Sequence, residues 1–367
     1  MSHNCSAADV VGRPVGDLDT PALVLDREAT RRNLERMACF FADRPAILRP
    51  HFKNHKCTRL AQWQLDTGSA VGITCAKLSE AEILAANGFE DLLIANQVVG
   101  KYKLLRLARL AGQTKLTVAA DDPGQIAELS RVMVEADALL GVLVEIDIGM
   151  GRCGVPSGEQ AIRLAHRIAG SPGLRFAGIQ AYEGHVVYEI NREARADLVR
   201  KALALAHDSR EQIERSGLKV PVISGGSSST YDISGAVDGF DEIQAGTYAT
   251  MDWRYHQLVP EFEIALSVLA RVISRRADHI VVDAGVKSAG GEFGSPRVED
   301  HPEAEVPFFL AEEHLVIRNA PSLDVGDTVR LIPSHACTTC NLHREMHLVS
   351  SGEVVDVWPI EASGRSQ

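Results

Sequence analysis

AILRPHFK (46–53), AVGITCAK (70–77), DLLIANQVV (91–99), KLTVAAD (115–121), LGVLVEIDIG (140–149), LRFAGIQAYEG (174–184), PVISGG (221–226) and EIQAGTY (242–248) punctuate the middle of the chain. Each run is short, apolar and closed by a turn or helix-start signal, the pattern of a parallel strand buried on both faces. The stretches between them read as helices. Ser79 and Glu82 have capping-box spacing, with Gly88 as the stop, and Ser157 and Gln160 repeat that spacing. Asp122 followed by Pro123 reads as an N-cap and a first-turn proline. Eight strands alternating with helices predict a (β/α)8 barrel, an α/β fold of the TIM type; an open doubly wound sheet is the alternative.

Outward from this core, the pattern changes after about residue 255. ALSVLARVISRR, HIVVDAGV, DTVRLIPSHAC, EMHLVSS and EVVDVWPIEA read as strands joined by turns, which predicts a second, mostly β domain. PALVLD (21–26) is strand-like but precedes the barrel, so it is placed with that second domain. The expected division is an N-terminal segment 1–26 joining the β domain, a barrel over 27–254, and a C-terminal β domain over 255–367.

The chain has 367 residues, a length that suits a large domain with a smaller partner. Its formal net charge is -11, and no basic cluster offsets it, which argues against a nucleic-acid partner. No apolar run approaches membrane-spanning length and the first twenty residues carry no signal-peptide core. The seven cysteines, scattered from Cys5 to Cys340, suit a reducing compartment rather than a disulfide framework, so a cytoplasmic protein is expected.

In a barrel of this type, chemistry collects where the strands end. Arg49, His51, Lys53, His55 and Lys56 crowd the end of the first strand. A lysine there can be desolvated into a usable amine; the alternative is a solvated basic loop. SGGSSST (224–230) and QAGTY (244–248) follow strands seven and eight, where glycines let backbone N–H groups approach a phosphate and hydroxyls add donors. Arg152, after strand five, can donate to an acidic oxygen. HACTTCNLH holds His335, Cys337, Cys340 and His343, a zinc-favouring donor set without the second ligand pair of a closed structural site. Read as an extended strand, His335 and Cys337 share a face and Cys340 turns to the opposite one.

RPHFKNHK, EIDIGMGRCGV, GIQAYEG, ISGG, QAGTY and VDAG, then PSHACTTCNL, together resemble the D-threonine aldolase and D-serine dehydratase family. That family is part of the alanine-racemase-like, fold-type III pyridoxal 5'-phosphate (PLP) enzymes, and the resemblance runs from about Asp19 to Trp358. It implies a homodimer of barrel-plus-β-domain chains. It makes Lys53 the lysine that carries PLP as a Schiff base, with His51 and His55 beside it in the catalytic motif. It places Gly225, Gly226, Ser227, Gly246, Thr247 and Tyr248 around the phosphate, Arg152 near the PLP phenolic oxygen, and Gln180 and Tyr182 near the ring. It makes His335 and Cys337 the protein ligands of a divalent metal; the thiolate favours Zn²⁺, with Mn²⁺ or Mg²⁺ as alternatives.

Within the family, GIQAYEG, QAGTYATMD and VWPIEASG resemble the aldolase branch, which cleaves D-3-hydroxy amino acids to glycine and an aldehyde. His-x-Cys instead resembles the dehydratases, which release a 2-oxo acid and ammonia; the aldolases typically carry His-x-Asp. An amino-acid racemase and a PLP carrier without turnover complete the set of readings. His185, Arg254 and His256 lie past strand ends and read first as ordinary polar loop residues; the alternative is that they read a second substrate carboxylate.

Overall fold

The computed structural model describes residues 10–307 and 311–367; Cys5 lies outside them. The chain forms two compact units. One comprises residues up to Arg36, Asn54–Leu60 and Thr247–Gly364; the other comprises Met37–Lys53, Ala61–Gly246 and Arg365–Gln367. These bounds return a short segment after Lys53 to the β unit and end the barrel unit at Gly246, earlier than the composition change near residue 255 suggests.

The first strand, β1 (Ala22–Asp26), belongs to the β unit. The barrel unit holds β2 (Ile47–Leu48), β3 (Ile73–Cys75), β4 (Asp91–Ile94), β5 (Lys115–Ala120), β6 (Leu140–Glu145), β7 (Leu174–Ala181), β8 (Ile223–Gly225) and β9 (Glu242–Ile243). They form one eight-stranded parallel sheet in the order β2-β9-β8-β7-β6-β5-β4-β3. Parallel bridges from Leu48 to Ala70 and from His51 to Thr74 join its two ends, so the sheet closes into the expected barrel. Every residue of β6 is buried, as a strand covered on both faces requires. The β6/β7 register shifts after Val142, and Gly178 absorbs the shift with φ +131°. A Cβ there would stand 2.1 Å from the Val222 carbonyl oxygen, so only glycine fits.

The barrel interior is layered. Leu93, Leu143 and Ala177 pack together with Ala95 and Val222 against them. At the strand starts the filling is ionic: the buried Arg49 guanidinium bonds both oxygens of Glu242, at 3.0 and 2.8 Å, and Asp91 at 2.8 Å. Glu242 and Asp91 are the first residues of β9 and β4. Arg49 therefore serves the floor of the barrel rather than the basic cluster around Lys53. A cavity of about 530 Å³, bounded by Arg49, Asp91, Arg175 and Glu242 among others, opens at this same end.

Helix starts follow local chemistry, with two shifts from expectation. Asp122 caps Pro123–Glu135 by accepting from the N–H groups of Gly124 and Gln125. The helix Leu78–Ala86 starts one residue before Ser79, because Glu80 reaches back to accept from the N–H groups of Ala76 and Lys77. Glu82 is spent on Arg106 instead. The helix Glu159–Ala169 has Gly158 at its N-cap, and the Ser157 hydroxyl donates to Asp208 rather than capping.

In the β unit, β1 is central: antiparallel to β10 (Leu266–Arg275) and parallel to β15 (Glu345–Ser350). Around it lie β11 (His279–Val282), β12 (Arg297–Val298), β13 (Leu315–Arg318), β14 (Thr328–Ile332) and β16 (Glu353–Pro359). The sheet order is β12-β14-β10-β1-β15-β16, with β11 paired to β10 and β13. The short β12 and β13 fall outside the five runs read from the sequence.

Arg49→Leu is expected to cost about 3–5 kcal/mol of stability, because Glu242 is left buried without its cation. Adding Glu242→Leu should recover much of that loss. Urea unfolding of the two variants measures both effects; equal loss in the single and double variants contradicts the assignment.

Candidate active site

The strand ends of the barrel unit bring several of the expected residues together. Lys53 lies in a short 3₁₀ turn, Phe52–Asn54, just beyond β2. Its Nζ is 5.7 Å from the centre of the Tyr182 ring, and the Arg152 guanidinium carbon is 5.5 Å from the same ring. Two basic side chains therefore approach one aromatic ring at the end of β7. Glu145, the last residue of β6, is buried and receives a hydrogen bond from Gln97. Burial pushes its carboxyl above the ordinary range, against the Gln97 hydrogen bond and the Arg152 charge. Gln180 also bonds Glu145, and Gln244 donates to Gln180 at 3.4 Å and to Ser224 at 2.9 Å. Gln97, Glu145 and Gln244 were not singled out in the sequence.

The other members of the basic cluster take different tasks. His51 is buried, and its Nδ1 accepts from the Lys53 N–H at 3.4 Å. His55 has no exposed surface, and its Nδ1 accepts from the Cys57 N–H at 3.2 Å. Lys56 donates to the Ala362 carbonyl, which removes it from competition with Lys53. His185 packs its ring over Gly149, and its buried Nδ1 has no hydrogen-bond partner among the described residues.

The glycine-serine loop after β8 is organised by Glu183, which sequence reading passed over. Its buried carboxylate accepts from the Gly226 N–H at 3.1 Å and from the hydroxyls of Thr230 and Ser234 at 2.8 and 2.7 Å. The Ser227 N–H donates to Thr230 Oγ1. A Cβ on Gly225 would stand 1.7 Å from the Ala181 carbonyl oxygen, so the loop keeps a bare backbone there. In the β unit, Thr247–Ala249 form a buried 3₁₀ turn, and Tyr248 packs edge-on against Phe262 with ring centres 6.0 Å apart. Gly246, the last barrel residue, precedes that turn.

The metal motif lies wholly in the β unit, and its backbone differs from expectation. Ala336–Leu342 is a helix with His335 as its N-cap, so alternation along a strand does not govern where Cys340 points. His335 and Cys337 still converge, because their side chains hydrogen-bond each other. Burial lowers the His335 pKa, but the Cys337 charge and the bonds to Asp252 and Cys337 outweigh it and hold it well above its ordinary value. Asp252 accepts from His335 Nδ1 at 2.9 Å, and Asn54 donates to Cys337 Sγ at 3.7 Å. Cys340 is fully buried, and burial holds its thiol well above the usual range. Among the described residues no group of three or more His, Cys, Asp or Glu side chains clusters as a metal cage. His343 Nε2–H donates to the Ser288 carbonyl at 2.7 Å, and His256 Nδ1–H donates to the Phe262 carbonyl at 3.0 Å. Arg254 lies 5.8 Å from the Phe293 ring. An imidazole braced by a carboxylate, next to a cysteine sulfur, offers donors that fit a divalent ion of borderline softness.

A closed parallel barrel with a lysine past its first strand, in one chain with a mostly β domain, defines an alanine-racemase-like PLP enzyme. Residues 25–252 match the model "Alanine racemase, N-terminal domain" and residues 265–349 match "Putative serine dehydratase domain". A D-threonine aldolase from Arthrobacter sp is 39% identical, over 97% of this chain and 96% of its own length. A 3-hydroxy-D-aspartate aldolase from Paracoccus denitrificans (strain Pd 1222) is 35% identical, over 96% and 94%. The crystal structure of D-threonine aldolase from Filomicrobium marinum superposes with a TM-score of 0.94 at 37% identity, covering 97% of this chain and 99% of that one. The chain belongs to the D-threonine aldolase and D-serine dehydratase family of PLP-dependent lyases. None of its described helices is long and apolar enough to cross a membrane.

A buried thiol held far above its usual pKa makes a poor ligand and a poor nucleophile. On the expectation that His335 and Cys337 bind zinc, Cys340→Ser should leave zinc binding within about twofold of wild type, whereas Cys337→Ser should lose most of it. Metal analysis of the purified variants decides; zinc loss in Cys340→Ser would instead indicate a structural site.

Proposed function

We propose that the enzyme cleaves D-3-hydroxy amino acids by a retro-aldol reaction, giving glycine and an aldehyde. The observation that carries this reading is the end-to-end likeness to D-threonine aldolase, at 39% identity over 97% of the chain. Lys53 is the residue that would hold PLP covalently, with Arg152, Gln180 and Tyr182 positioning its ring. Gly225, Gly226, Ser227, Gly246, Thr247 and Tyr248 would surround its phosphate. Because the Gly226 N–H is already given to Glu183, that residue contributes through its bare backbone face rather than its own donor. His335 and Cys337 would hold a divalent metal, with zinc favoured by the thiolate.

When bound, PLP supplies an electron sink for the bond broken at Cα and the metal lowers the pKa of the substrate β-hydroxyl. The protein's own part is orientation and exclusion of water. The Tyr182 ring lies against both Lys53 and Arg152, while Glu145 and Gln180 fill the adjoining strand ends with paired polar groups. His51, hydrogen-bonded beside Lys53, is the nearer of the two motif histidines for handling a proton; fully buried His55 acts by holding the Cys57 backbone. The working form in this reading is a cytoplasmic homodimer acting on a small D-configured substrate.

Dehydration is the second reading, favoured by one specific observation: the His-x-Cys motif lies within the segment matched by the serine dehydratase model. The two reactions differ in the bond cleaved at Cα, to Cβ or to hydrogen. D-threonine and D-3-hydroxyaspartate should give glycine and aldehyde in equal amounts; production of only 2-oxo acid and ammonia selects dehydration.

Borohydride reduction of the PLP-loaded enzyme followed by peptide mapping should fix the cofactor on Lys53, and Lys53→Ala should lower turnover by at least about a thousandfold. A label on Lys56 contradicts the assignment.

A further inference from the structure

Asp252 has no task in the reading above, although it has no exposed surface. Its carboxylate is fully engaged. Oδ1 accepts the Tyr255 N–H at 2.8 Å, which caps the helix Trp253–Leu258. Capping uses only that oxygen. Oδ2 is turned the other way, onto His335 Nδ1 at 2.9 Å and the Ala336 N–H at 2.9 Å. Ala336 is the residue between His335 and Cys337. One oxygen therefore grips both the first donor's ring and the peptide that links it to the second.

A carboxylate offers only acceptors, so the imidazole nitrogen facing it must carry the proton. When the ring serves as a ligand, Nε2 is therefore the His335 atom with a lone pair to give. The ring is also held from two other sides. Tyr255 stacks on it, with centres 5.8 Å apart and planes 16° apart, and Phe293 meets it edge-on at 5.2 Å and 79°. Such bracing fixes ring orientation and tautomer before any ion arrives.

Resting on the reading of His335 and Cys337 as a metal pair, we infer that Asp252 is the positioning residue of that pair. It holds His335 in the Nδ1–H form, makes Nε2 the donor atom, and sets the spacing of the two ligands through the Ala336 amide. This is a role for the chain's own carboxylate and requires no particular metal.

Asp252→Ser separates this role from helix capping, because serine can still accept the Tyr255 N–H but cannot reach the ligand side. The PLP-loaded, full-length variant would be titrated with Zn²⁺ against a chromophoric chelator, and with Co²⁺ to record its visible spectrum. Zinc affinity is expected to fall about 10–100-fold and the Co²⁺ spectrum to change. The PLP absorbance should stay near wild type. His335→Ala runs alongside. If it retains wild-type zinc affinity, the metal pair is wrong and the inference falls with it. If it loses zinc while Asp252→Ser binds within twofold of wild type, the pair stands and the role of Asp252 is overturned. Should Asp252→Ser fail to fold, ¹⁵N-histidine NMR of the zinc-loaded wild type decides: a proton on His335 Nδ1 supports the inference, and a proton on Nε2 overturns it.

Discussion

Closure of the parallel sheet is the constraint on which the barrel unit depends. A parallel barrel sends all eight strand ends to one side, and the bridges at Leu48–Ala70 and His51–Thr74 complete the ring. His51 is itself a bridging residue, so closure sets the backbone two residues before Lys53. Closure also leaves a floor that must be filled. The Arg49 ion pairs with Asp91 and Glu242 fill it, and a removal of any one member leaves a buried charge.

Each unit carries a set of buried polar groups that satisfy one another. In the barrel unit, Glu183 ties down the loop after β8, and Glu145 is bonded from Gln97 and Gln180 at the ends of β6 and β7. In the β unit, Asp252 ties down His335, and Asn54 bonds both the Cys337 thiol and Thr250. Buried polar groups of this kind are costly unless every donor and acceptor is paired, which makes them rigid when they are. That rigidity suits chemistry in which the bond to be broken must be held in one orientation.

Much of this was legible from the chain alone. All eight barrel strands lie inside the eight apolar runs, because a strand buried on both faces must be apolar at successive positions, as LGVLVE is. Lys53 stood out because it follows such a run in a cluster of basic residues. Helix starts were less legible. Glu80 and Glu82 are both in reach of a helix start, and only the path of the chain out of β3 gives the cap to Glu80. The segment after β14 was read as strand because HAC alternates, but its helix begins at Ala336, where Asp252, 84 residues earlier, binds the first helical N–H.

The sequence by itself determined the number of barrel strands and their parallel class, and it singled out Lys53, His335 and Cys337 as candidates. These are local matters of apolar runs, turn signals and motif spacing, written in adjacent residues. Only the tertiary structure decided what each polar group answers to. It sent Arg49 to the barrel floor and Lys56 to a backbone carbonyl, and left Lys53 facing Tyr182. It also chose Glu183 and Asp252, two carboxylates with no motif of their own, as the groups that hold the loop and the imidazole. The physical reason is distance along the chain. The loop and imidazole-side donors they satisfy lie 43 to 84 residues away, and no local propensity encodes a hydrogen bond closed across such a separation.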